Sequence, residues 1–129
     1  MEISVHRGQG KLQHVIEIGP HRVLTDVPAA LGGEDTGPQP HDLLAAALAA
    51  CTALTVTMYA KRKGWPLDDI DVRIEHGQVD QAYTLTRRIA YIGDLSADQR
   101  TMLTAVANKC PVHKTLSGEI RIVTEEVSP

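Results

Sequence analysis

Apolar residues recur at every second position in several stretches of the chain, the mark of a strand with one face buried. In KLQHVIEI (residues 11–18), Leu12, His14, Ile16 and Ile18 share one face. Gly19-Pro20 then signals a turn, and HRVLTDV (21–27) reads as the next strand. Farther on, Ile70, Val72 and Ile74 alternate with Asp71, Arg73 and Glu75 in IDVRIEHGQV (70–79). YTLTRRIAYI (83–92) and EIRIV (119–123) complete the predicted strands.

Elsewhere the pattern is helical. PHDLLAAALAACTALTVTMYAKRKGWP (40–66) predicts a long helix beginning near His41 or Asp42, whose carboxylate suits a helix N-terminus. Lys61, Arg62 and Lys63 fill its last turn, Gly64 takes the C-cap position and Pro66 stops it. SADQ (96–99) is a Ser-x-x-Gln capping box, opening a helix that buries Met102, Leu103 and Val106. Cys110-Pro111 starts a further helical turn, because proline suits the first helical position. GGEDTGPQP (32–40) is a loop. It needs no domain boundary, since the strands before it cannot form a stable unit alone. Strands in groups with helices between the groups predict an α+β fold in a single domain, 1–129.

Composition narrows the setting. The chain has 129 residues and is 43% apolar, yet contains no Phe, so Leu, Ile, Val and Ala must build the core. A net charge of −3 with scattered basic residues argues against nucleic acid as a partner. MEISVHRGQG lacks the basic and apolar segments of a signal peptide, and two cysteines 59 positions apart make no secreted disulfide framework. A cytoplasmic location follows, where a disulfide is transient and functional. Leu43 to Ala60 carry no charge and are long enough to span a membrane. The run is nevertheless Ala-rich, with Thr52, Thr55 and Thr57 and only four Leu, and it reads as a helix in a soluble core.

The candidate chemistry lies in Cys51 and Cys110. A thiol acts as a nucleophile only when ionised, so each site must supply something that lowers its pKa. Cys110 stands at or next to a helix N-cap, where free amides favour negative charge. Cys51 sits deep inside the long helix. At about 100° per residue its face carries Leu44, Ala47, Leu48, Leu54, Thr55 and Met58, with Thr55 the one polar member. A group from elsewhere must activate it, and Arg7, Arg22, Arg87 and Arg88 are the candidates. Read structurally, the same cysteine is a small buried hydrophobe. Cys110 and His113 also form a C-x-x-H pair that Cys51 or His41 could extend to a metal site, a weak pattern without a second ligand pair. His6, His14, His21 and His76 fall on strand faces and turns.

GPQPHDLLAAALAACTALTV, followed 59 residues later by CPVHKTL, resembles the OsmC/Ohr family, the osmotically inducible and organic hydroperoxide resistance proteins, over most of the chain. The resemblance implies antiparallel sheets wrapped around a long central helix in an intertwined homodimer. It implies a peroxidatic Cys51 and a resolving Cys110, with organic hydroperoxide as substrate, an external dithiol as reductant and no metal or organic cofactor. The chain departs from the peroxidase branches at His41, where they carry Glu; a helical Asp42 would lie about 180° from Cys51. Arg7 and Arg22 both compete for the family's N-terminal Arg. CPVHKTL is closer to an OsmC-like branch, in which His113 either stands in for an Arg or caps a surface turn, the surface reading being favoured. The departures also motivate a second reading, a non-enzymatic dimer that binds an apolar or thiol-reactive small molecule.

Overall fold

Strands β1 (Ile3–Arg7), β2 (His14–Ile18) and β3 (His21–Thr25) form an antiparallel sheet in the order β1-β2-β3. The structure is a computed structural model that describes residues 1–129. Two compact units make up the chain, Met1–Ala46 and Ala47–Pro129.

In the first unit β2 pairs both neighbours, Ile16 standing opposite Val5 on one side and Val23 on the other. Gly19 adopts φ +56 in the turn between β2 and β3, a backbone state that glycine reaches without steric cost. Two boundaries differ from the sequence reading. Leu12 lies in a turn, so β2 starts at His14, and β1 is a strand whose limits the sequence reading did not mark. β3 stops at Thr25 because the following Asp26 turns its carboxylate into the loop. Its oxygens accept the amides of Val27 (2.8 Å) and Thr36 (3.0 Å) and the Thr36 hydroxyl. Those bonds give the glycine- and proline-rich loop a fixed course, and they satisfy a carboxylate only 4% exposed.

Helix α1 (Pro40–Lys63) begins one residue before the predicted start, with Pro40 at a position that needs no amide donor. Its end is a Schellman motif: Gly64 (φ +70) donates to the Lys61 carbonyl and Trp65 to that of Ala60. In the second unit β4 (Asp69–Val79) and β5 (Ala82–Ile92) form an antiparallel hairpin, with Ile70 opposite Tyr91 and Val72 opposite Ile89. Helix α2 (Ala97–Ala107) carries the predicted capping box, Ser96 Oγ accepting from the Gln99 amide and Gln99 Oε1 from the Ser96 amide. Helix α3 (Pro111–Ser117) follows.

The core of this unit is small and aliphatic. Val56 and Ala60 of α1 meet Leu103 and Ala107 of α2 and Leu95, with Ile70, Ile89 and Tyr91 of the hairpin packed against them. By length and composition α1 is capable of crossing a membrane; 28% of its apolar window is buried, with Val56 0% exposed inside this cluster. Met102, expected in the core, is exposed, since α2 turns Leu103 and Ala107 inward instead. EIRIV (119–123) is not a strand, because no neighbouring strand pairs with it. Ile122 and Val123 stand 88% and 84% exposed. The α+β class, the antiparallel sheets and the long helix are as the sequence predicts.

Candidate functional site

Cys51 and Cys110, 59 positions apart, come together in the second unit. Cys51 points from the middle of α1 and is partly exposed; Cys110 is the N-cap of α3 and fully buried. Both are free thiols, and the amides of the first turn of α3 reach both sulfurs.

The first turn of α3 serves both sulfurs. Pro111 has no amide proton, so the first free amides belong to Val112 and His113. Val112 donates to Cys51 Sγ at 3.5 Å and His113 to Cys110 Sγ at 3.4 Å. Cys51 also contacts Thr55 Oγ1 at 3.8 Å. The polar partner that α1 could not supply to Cys51 from its own end is therefore an amide of another helix.

Arg87 supplies the charge. Leu85, Arg87, Ile89 and Tyr91 share the inward face of β5, so the period of the strand aims a cation at the interior. Its Nη1 donates to Thr52 Oγ1 (2.9 Å), and its Nη2 to Asn108 Oδ1 (3.0 Å) and His113 Nδ1 (2.8 Å). All three partners are neutral acceptors. The other arginine candidates are engaged elsewhere: Arg22 pairs with Glu17, Arg88 with Glu75, and Arg7 donates to the Lys11 carbonyl. Arg87 has no carboxylate partner, and its charge is left for the thiol pair.

Thr52 joins the cation to the sulfur. Its hydroxyl lies 2.7 Å from the Leu48 carbonyl and 3.9 Å from Cys110 Sγ, and its oxygen accepts from Arg87 at 2.9 Å. Burial pushes the Cys110 thiol up. The His113 amide, the Cys51 thiol, Thr52 and the charge of Arg87 together outweigh it and hold the group below the ordinary thiol value of 9.0.

His113 is half-buried with its ring nitrogen against Arg87, a correction to the surface reading. No group of three or more His, Cys, Asp or Glu side chains gathers in a metal-binding arrangement. Thr52 and Asn108 were not identified from the sequence, because a threonine inside an Ala-rich helix and an asparagine at a helix end carry no chemical signature. Arg87 did leave a signal: a charge at an inward position of an alternating strand.

The family model described as "OsmC-like protein" matches residues 32–125, well over half of the chain. Among solved structures, an OsmC-like protein from Mycoplasma pneumoniae has 18% identity and a TM-score of 0.73, covering 91% of this chain and 86% of its own. An organic hydroperoxide resistance protein from Legionella pneumophila has 23% identity and a TM-score of 0.66, covering 91% and 88%. The organic hydroperoxide resistance protein OhrB of Bacillus subtilis has 22% identity and a TM-score of 0.60, covering 91% and 90%. Curated protein sequences give no significant match.

Proposed function

The chain belongs to the OsmC-like protein family, and from that premise we propose that it is a thiol-dependent reductase of organic hydroperoxides acting through Cys51 and Cys110. The observation that carries the reading is the meeting of the two thiols at the first turn of α3, with Arg87 joined to Cys110 through Thr52. The hydroperoxide resistance of the Legionella and Bacillus proteins supports the substrate class.

Exposure divides the roles. A peroxide reaches the partly exposed Cys51, whereas Cys110 is closed to solvent. The site favours ionisation of Cys110, and the reaction begins when the Cys51 proton passes to the Cys110 thiolate, generating the attacking Cys51 thiolate. It displaces alkoxide from the terminal oxygen of ROOH, forming the Cys51 sulfenic acid, and the alkoxide takes the proton from Cys110 and leaves as ROH. Cys110 thiolate then attacks the sulfenic sulfur, forming the disulfide, and the displaced hydroxide leaves as water after taking a proton from solvent. An external dithiol restores both thiols. The net change is ROOH plus two thiols to ROH, water and one disulfide. A cavity of about 230 Å³, lined by Leu48, Tyr83, Leu85, His113, Leu116 and Ser117, shares His113 with the site and offers the organic group a seat of mixed apolar and polar walls.

Reduced protein treated with cumene hydroperoxide should lose two thiols per chain and yield a Cys51–Cys110 disulfide by peptide mass spectrometry. Cys51→Ser should abolish turnover with dithiothreitol. Turnover that persists in this variant overturns the reading.

The proposal includes a homodimer of single-domain chains. Leu54 and Met58 form an exposed stripe on α1, one and two turns beyond Cys51, and residues 119–123 have a strand pattern without a strand partner. A second copy would cover the stripe and pair the tail. Light scattering should give twice the chain mass, and truncation after Gly118 should lower it to one. A full-length monomer at micromolar concentration would sink the assignment.

A further inference from the structure

Arg87 is held by three bonds that converge from different elements: Thr52 on α1, Asn108 at the end of α2 and His113 on α3. A guanidinium has only donors, so His113 Nδ1 carries no proton in this contact and the ring is a neutral imidazole with its hydrogen on Nε2. Thr52 and Asn108 occupy one side of each terminal nitrogen; His113 supplies the second acceptor of Nη2 and fixes the plane of the fork. The groups that meet at this contact are Thr52 from α1, Asn108 at the end of α2 and His113 from α3, with Cys110 reached through Thr52 and Tyr83 of β5 sharing a cavity wall with His113. None of these is a carboxylate.

We propose that His113 is a positioning residue for this chemistry: its neutral imidazole clamps the Arg87 guanidinium against Thr52, and through Arg87 it keeps the cation beside the sulfur pair. This rests on the thiol chemistry proposed above, but on the ionisation of the pair and not on any peroxide. The backbone amide of His113 bonds Cys110 whatever side chain residue 113 carries, so side-chain substitutions isolate the clamp.

The test uses the full-length reduced protein and no peroxide. Thiolate is followed by ultraviolet absorbance across neutral to alkaline pH, and iodoacetamide alkylation is timed at neutral pH. In His113→Asn the side-chain oxygen replaces Nδ1 as acceptor, and its titration should superpose on that of the natural chain. His113→Leu removes the acceptor; its midpoint should rise and alkylation should slow several-fold. Adding His113→Leu to Arg87→Met should produce no further rise, because the two act through one contact. A His113→Leu titration that superposes on the natural chain, or a shift that adds fully to that of Arg87→Met, overturns the clamp. If His113→Leu does not fold, His113→Phe keeps a flat ring without the acceptor and is read in the same way. Loss of peroxide turnover with these thiol shifts intact would refute the proposed activity and leave the clamp standing.

Discussion

Replacing Arg87 by Met removes the charge beside the thiols while keeping the aliphatic stem, and the size of the effect follows from two distances. The Arg87–Thr52 bond of 2.9 Å and the Thr52–Cys110 contact of 3.9 Å meet at Thr52 Oγ1, so a guanidinium nitrogen lies no farther than about 6.8 Å from the Cys110 sulfur. At that separation a unit pair is worth about 2.4 kcal/mol with an effective dielectric of about 20, and about 0.6 kcal/mol with that of water. Arg87 is half-buried, between those limits. The thiolate midpoint should therefore rise by about one pH unit, and alkylation at neutral pH should slow about tenfold. Arg87→Lys keeps a charge but loses the fork that reaches three acceptors, and it should fall between the two. The linked stability has a definite sign. Cys110 is depressed below 9.0, so its thiolate contributes fully above that pH, and the contribution is lost as pH falls through the folded value. Denaturant unfolding should show that alkaline gain shrinking in Arg87→Met. A midpoint that Arg87→Met leaves in place, with the far-ultraviolet spectrum intact, refutes Arg87 as the activating cation.

Leu103→Ala opens a hole in a cluster where the side chain is 0% exposed, and it should cost about 2–5 kcal/mol in urea unfolding; a loss below about 1 kcal/mol would mean that the core collapses around the site. Asp26 is held at about 2 against an ordinary 3.8, first by the Thr36 hydroxyl and then by the Thr36 and Val27 amides. Its contribution is present above pH 3.8 and is lost as pH falls through about 2, so Asp26→Asn should flatten the fall of melting temperature in that window. An unchanged acid slope would remove Asp26 from the acid response. Gly33→Ala would bring a methyl to 2.1 Å from the Val27 carbonyl oxygen and 2.7 Å from Asp26 Oδ1, and it should lower the melting temperature by forcing this loop apart; an unaltered melting temperature would show that the loop shifts without cost.

The elements encoded by neighbours in sequence were legible without coordinates. The alternation of Ile70, Val72 and Ile74, the Ser96–Gln99 box, Gly64 beyond the basic turn, and Cys110 ahead of Pro111 each specify a local conformation through contacts within a few residues. The segments misread were those in which burial depends on what lies opposite. Met102 faces outward although α2 is helical as predicted, and EIRIV has the alternation of a strand but no partner to bond. A pattern determines which conformation a segment can adopt, whereas pairing requires a second segment at hydrogen-bonding distance. The same distinction governs the site. Sequence identified two cysteines and a short list of arginines. Only the tertiary structure brought Val112 to Cys51, chose Arg87 from among four candidates and turned His113 inward, because those contacts join residues between 26 and 61 positions apart. No local spacing encodes them; packing of α1, α3 and the hairpin does.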